Sequence, residues 1–167
     1  SQLNHLLTNT KFKFAKEGGS ALVMDGVDIS AEITSAQVTD FVSYVSTISA
    51  VRKKLVQYQR DMAEGIDVVL EGRDIGTVVF PNAEYKFFLV ADIHERAKRR
   101  KKEMDAKGEV VSLEELTSEM EERDRKDSTR KHSPLKKAED AVEIDTTGIS
   151  IEEQVNRIVE IVNKTIK

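Results

Sequence analysis

Ile66-Asp67-Val68-Val69-Leu70-Glu71-Gly72-Arg73-Asp74-Ile75-Gly76-Thr77 joins a short, mostly apolar run to a charged turn. A run of this length, rich in β-branched residues and bounded by glycine, predicts a strand buried on both faces, as strands of parallel sheets are. A second such run, Tyr85 to Ala91, and a weaker third, Ala141 to Ile144 ahead of Asp145-Thr146-Thr147-Gly148, lie downstream. About fifty very polar residues separate the second run from the third. Within them Asp92 to Met104 reads as a basic helix broken at Lys107-Gly108. Ser112 with Glu115 forms a capping box that opens another helix, running to about Arg130 before Pro134. Ile151, Val155, Ile158, Val159 and Val162 recur as an amphipathic helix that would cover a sheet face. Strands alternating with helices make the fold class α/β, with a parallel sheet and a projecting helical lid.

Upstream of the opening stretch the period changes. Phe12 and Phe14 alternate with lysines, Gly18-Gly19 interrupts, and Asp25-Gly26 separates Ala21–Met24 from Val27–Ile29. These are hairpin signals, and they predict a small antiparallel meander of three strands. From Ser35 to Gly65 the pattern is helical, with Val51, Leu55, Tyr58 and Met62 on one face, Ser49 as cap and Gly65 as stop.

The charged turn Glu71 to Thr77 is the sharpest chemical feature. Side chains leaving the carboxyl end of a parallel strand face the ligand crevice, and Arg73 offers a planar fork for phosphate beside an acceptor, Asp74. The alternative is a turn whose Arg73 and Asp74 merely pair with other side chains. Arg123, Asp127 and Arg130, at offsets of four and seven, fall within an arc of roughly 60° on the lid helix. Two arginines flanking a carboxylate can hold a phosphorylated sugar; otherwise they form a solvated face with i to i+4 pairs. Arg96, Lys98, Arg99, Arg100, Lys101 and Lys102 carry no interleaved aromatics, so they suit a lid near phosphates or a solvated face better than a nucleic-acid surface. His5, His94 and His132 have no metal-ligand spacing.

The 167 residues carry a net charge of −4, 34% charged residues and no cysteine. General polyanion binding, disulfides, thiolate metal sites and thiol nucleophiles are thereby excluded, and a cytoplasmic location is expected. No apolar run approaches the eighteen or so residues of a membrane span. A Walker A loop needs two glycines five apart followed by lysine, and none of the eight glycines precedes a lysine.

Four stretches, Leu70 to Pro81, Glu122-Arg123-Asp124-Arg125-Lys126-Asp127-Ser128-Thr129-Arg130, Ser133-Pro134-Leu135 and Asp145-Thr146-Thr147-Gly148, together resemble bacterial cytidylate kinases. The early meander is similar to the insertion that separates these from shorter eukaryotic UMP/CMP kinases. The resemblance implies a P-loop nucleoside monophosphate kinase fold and Mg²⁺-dependent transfer of the terminal phosphoryl group of ATP to CMP or dCMP. It implies further that Arg73 and Arg130 bind the acceptor phosphate as the catalytic arginines. Arg123 and Asp127 would hold the ribose, and Ser43, Arg52 and Asp74 would read the cytosine.

Family members open with a strand, a P-loop and a helix, and the opening strand lies in mid-sheet. The chain is therefore expected to be the larger carboxy-terminal part of such an enzyme, inactive alone, with the amino-terminal segment as its partner. The expected organisation is a monophosphate-binding region over 1–65 with the β insertion at about 11–29. Core strands follow over 66–91, the lid and flanking helices over 92–134, and a last strand and helix over 135–167. A kinase of the same fold for another nucleotide, or a noncatalytic nucleotide- or RNA-binding module, are the competing readings.

Overall fold

The computed structural model describes residues 2–14 and 21–165. The Gly18-Gly19 break lies outside the described residues, as do the side chains of a few helix and strand positions, Ser43 among them. The chain forms two compact units, Ser1–Glu71 and Gly72–Lys167.

In the first unit, α1 (Gln2–Asn9) precedes the expected meander of β1 (Phe12–Phe14), β2 (Leu22–Met24) and β3 (Val27–Asp28), ordered β1-β2-β3 and antiparallel throughout. Asp25 (φ 51°) and Gly26 (φ 91°) both take left-handed backbone, as a two-residue hairpin turn requires. The Asp25 carboxylate also accepts the Lys11 amide at 2.8 Å, which locks the turn against the start of β1. Helices α2 (Ala36–Val45) and α3 (Ser49–Met62) follow, α2 capped by the Ser35 hydroxyl on the Val38 amide. The cap of α3 is Ile48 rather than the expected Ser49: its extended backbone starts the helix with no side-chain bond. Tyr58 ties α3 to the meander, its ring edge-on to Phe12 at 5.3 Å and its hydroxyl donating to the Thr10 carbonyl. Val51 and Val56 are the buried residues of α3, whereas Leu55 is exposed; Val51 lies on the expected face and Val56 about 140° round the helix from it.

Residues 66–70 depart from expectation. They form no strand, and Ile66, Val68, Val69 and Leu70 are all exposed. A parallel strand is held by ladder bonds to its neighbours, and among the described residues this segment has no strand partner.

The second unit is built on β4 (Phe87–Val90) and β5 (Val142–Asp145), paired in parallel with Phe87 opposite Val142 and Val90 opposite Asp145. The strand expected over Tyr85 to Ala91 is thus shorter, and it is half-buried with Leu89 exposed. After Arg73-Asp74 the backbone makes a single π turn over Ile75–Val79, which the local sequence did not signal. The amides of Val78 and Val79 share the Asp74 carbonyl at 2.9 and 3.2 Å. A methyl at Gly76 would stand 3.3 Å from the stem of Lys86, whose ammonium pairs with Asp140 at 2.6 Å, so glycine lets the π turn lie close to that buried lysine.

A helical hairpin follows, of α4 (Ile93–Ala106) and α5 (Leu113–Thr129), packed with Ala97 and Leu116 buried. Asp92 caps α4 by accepting the His94 and Glu95 amides at 2.9 and 3.2 Å. Gly108 (φ 79°) turns the chain, and Ser112 with Glu115 makes the expected capping box. The Ser112 amide and hydroxyl hold the Glu115 carboxyl below the usual carboxylate range. The closing helix α6 (Ile151–Thr165) is present, but Ile151, Val155 and Val159 are exposed while Ile158 and Val162 are half-buried, so its apolar face is only partly covered.

Candidate functional site

The site lies in the second unit, where the π turn meets the end of α5. Asp127 is its centre. Its side chain, 9% exposed, lies 3.2 Å from Arg73 Nε, 3.5 Å from Arg130 Nη1 and 4.0 Å from Arg123 Nε. The three residues that share an arc of α5 are therefore brought together with the arginine of the charged turn. A second carboxylate, Asp124, stands 2.5 Å from Arg96 Nη1 and 3.7 Å from Arg73 Nη1. Four guanidinium groups thus converge on two carboxylates, leaving two positive charges, the complement of a phosphate dianion.

Local structure holds these groups in place. Ser133 adopts left-handed backbone (φ 52°) and folds the chain back, so that the Leu135 amide donates to the Asp127 carbonyl at 2.8 Å and Arg130 Nε donates to the Ser133 carbonyl. Arg130 is thereby pinned with only 10% of its side chain exposed, and its Nη2 is buried without a hydrogen bond among the described residues. Across the helix, Arg125 grips Glu122 through two bonds of 2.7 and 2.8 Å, holding that carboxyl down to about 2. This outward pair keeps Arg125 away from the inner stripe. Asp74 is 4% exposed and sits beside Arg73 at the start of the π turn.

The α4-α5 hairpin is anchored to the carboxyl ends of the two strands. Thr146 donates its amide and hydroxyl to the Val90 carbonyl at 2.8 and 3.0 Å, and Arg99 donates to the Thr146 hydroxyl at 3.2 Å and to its carbonyl. The Asp92 amide donates to the Thr147 hydroxyl at 2.9 Å. Thr147 also holds the Asp145 carboxyl below its ordinary range through a side-chain and a backbone bond. The basic cluster of α4 is largely engaged within the protein: Arg96 with Asp124, Arg99 with Thr146, Arg100 with Glu103 at 3.0 Å and Lys101 with Asp105 at 3.0 Å.

Ser43 and Arg52 belong to the first unit, on α2 and α3; Arg52 is half-buried, and the side chain of Ser43 lies outside the described residues. Asp124, Arg96 and the Ser133 turn were missed as site components. Asp124 stands beside Arg123 in the quoted lid stretch, but its partner Arg96 is 28 residues away and only the packing of two helices pairs them.

The chain matches the cytidylate kinase family over residues 1–164. The chain belongs to the cytidylate kinase family. It is similar to the cytidylate kinase of Pediococcus pentosaceus, 46% identical over 168 residues that span all of this chain and 74% of the relative. It is 50% identical to the cytidylate kinase of a Geobacillus species over 96% of this chain and 72% of the relative. The Desulforamulus reducens cytidylate kinase is 54% identical over 86% of this chain and 65% of its own length. Membership makes the chain an enzyme of the nucleoside monophosphate kinase class, a transferase with a nucleotide-binding site. No helix among the described residues is long and apolar enough to cross a membrane.

The family implies ATP and Mg²⁺. Among the described residues no three acidic or histidine side chains converge as a metal site, and both carboxylates of the arginine cluster are engaged by guanidinium groups. With both carboxylates paired to arginines this donor set does not fit the metal, and no glycine precedes a lysine in the 167 residues.

Proposed function

We propose that the chain is the acceptor-binding part of a cytoplasmic cytidylate kinase that transfers the terminal phosphoryl group of ATP to CMP or dCMP, yielding CDP or dCDP and ADP. The observation that carries this reading is the convergence of Arg73, Arg123 and Arg130 on Asp127. The carboxylates occupy the arginine forks. The acceptor phosphate takes over donors of Arg73 and Arg130, and Asp127 with Arg123 turns to the ribose hydroxyls.

Phosphoryl transfer asks the protein mainly to position the acceptor and to neutralise charge. Two buried or half-buried arginines on the phosphate do both: they fix the attacking oxygen and draw charge from the acceptor. The lid hairpin carries two of the site's arginines, Arg123 and Arg130, at the end of α5 and Arg96 on α4, so closure over the acceptor excludes water that would otherwise hydrolyse ATP. The donor nucleotide is held by a strand, P-loop and helix outside these residues. The outer edge of β4, which has no strand partner among the described residues, supports a docking place for that strand.

Asp74 reads the base. The cytosine amino group donates to the buried Asp74 carboxylate, where uracil presents an acceptor oxygen. The test is kinetic, in a version carrying a family P-loop segment at its amino end, called here the extended enzyme. Asp74→Asn is expected to narrow the CMP/UMP ratio of kcat/KM by about tenfold or more, since a lost buried hydrogen bond to a charged group is worth roughly 1.5–3 kcal/mol. An unchanged ratio would remove Asp74 from base recognition.

A further inference from the structure

We infer that Asp124 is a positioning residue that sets the orientation of Arg73 for the acceptor phosphate. The inference rests on the reading of Arg73 as a phosphate ligand. Asp124 touches no reacting atom in that scheme; it acts through the arginines on either side of it.

The argument begins with Arg73 itself. Its side chain is about one-third exposed, and an arginine has roughly 2 kcal/mol of rotamer entropy to lose before its fork can meet a phosphate. Two carboxylates flank the guanidinium: Asp127 at Nε, 3.2 Å away, and Asp124 at Nη1, 3.7 Å away. These two charge contacts reach different nitrogens and so favour one plane for the group, whereas one contact leaves it free to swing.

Asp124 is in turn held from the other helix. Its Oδ2 accepts from Arg96 Nη1 at 2.5 Å, the shorter of its two contacts, and its Oδ1 is buried, facing Arg73. Arg96 lies one turn into α4, whose start is riveted to the strand ends through Asp92, Thr147, Arg99 and Thr146. The order of Arg73 is thus tied through Asp124 and Arg96 to the sheet. Without Asp124, α5 would still present Arg123 and Arg130, because these are held by Asp127 and by the Ser133 turn. The effect of Asp124 should therefore fall on the phosphate and spare the sugar and base.

Comparing CMP with cytidine isolates the phosphate. Calorimetric titration of both into the extended enzyme is expected to show that Asp124→Asn weakens CMP about tenfold while cytidine changes less than about twofold, the signature of a lost phosphate orienter. Asp124→Glu, which keeps the charge, should recover CMP affinity to within about threefold. Equal weakening of both ligands would mean that Asp124 serves only the structure of the lid and would overturn the inference. Tighter CMP binding would overturn it too, since Asp124 would then compete with the phosphate for Arg73. Arg73→Ala run alongside separates the two readings. If that variant does not weaken CMP selectively, the phosphate assignment itself fails; if it does and Asp124→Asn does not, only this inference falls.

Discussion

The 167-residue polypeptide on its own is expected to transfer no phosphoryl group from ATP to CMP, and supplying the strand, P-loop and helix is expected to restore turnover. Holding the β and γ phosphates requires a run of backbone amides with a lysine, and no glycine here precedes a lysine. The arginine cluster cannot substitute, because its charges are matched by Asp124 and Asp127 down to what one phosphate dianion needs. The added segment would also pair with the outer edge of β4. Binding only to the folded state, it should raise the melting temperature by linkage. A coupled ADP-release assay with CMP as acceptor reads the first effect, and a thermal scan with and without the segment reads the second. Turnover by the chain alone would contradict the division of labour proposed here.

Arg130→Ala in the extended enzyme is expected to lower kcat/KM for CMP roughly 10- to 150-fold, the equivalent of one charge-assisted contact of about 1.5–3 kcal/mol. Arg73→Ala should fall in the same range. Arg130 is expected to be the costlier of the two to stability, because it is nearly buried and its loss leaves Asp127 with fewer opposing charges in a dry place. Arg73, about one-third exposed, can be removed with less disturbance. Steady-state kinetics with CMP varied, together with melting temperatures, separates the two effects. Near wild-type kinetics in both variants would place the acceptor phosphate elsewhere.

Much of this was legible because it is local. The capping box at Ser112 and Glu115, the Asp25-Gly26 turn and the parallel pairing of the downstream runs depend on neighbours in sequence or on strand character alone. The shared arc of Arg123, Asp127 and Arg130 is likewise helical arithmetic, and the structure brings those three together with Arg73.

What was not legible depends on partners. Whether Val68 to Leu70 form a strand is decided by neighbouring strands, and an apolar run has the same composition whether its ladder is filled or empty. The contact of Tyr58 with Phe12 spans 46 residues, and Val56 is buried although it lies off the face of Val51, Leu55 and Tyr58, so neither followed from spacing within α3. The Arg96–Asp124 pair needed the rotation of two helices about each other, which no spacing within either helix encodes.

The most direct test of the central claim is the ratio of CMP to cytidine affinity. If two arginine forks hold the acceptor phosphate, each contributing about 1.5–3 kcal/mol, the extended enzyme should bind CMP at least roughly 100-fold more tightly than cytidine, and Arg73→Ala with Arg130→Ala together should erase most of that ratio. Equal affinity for nucleoside and nucleotide, or a ratio that survives the double substitution, would contradict the account.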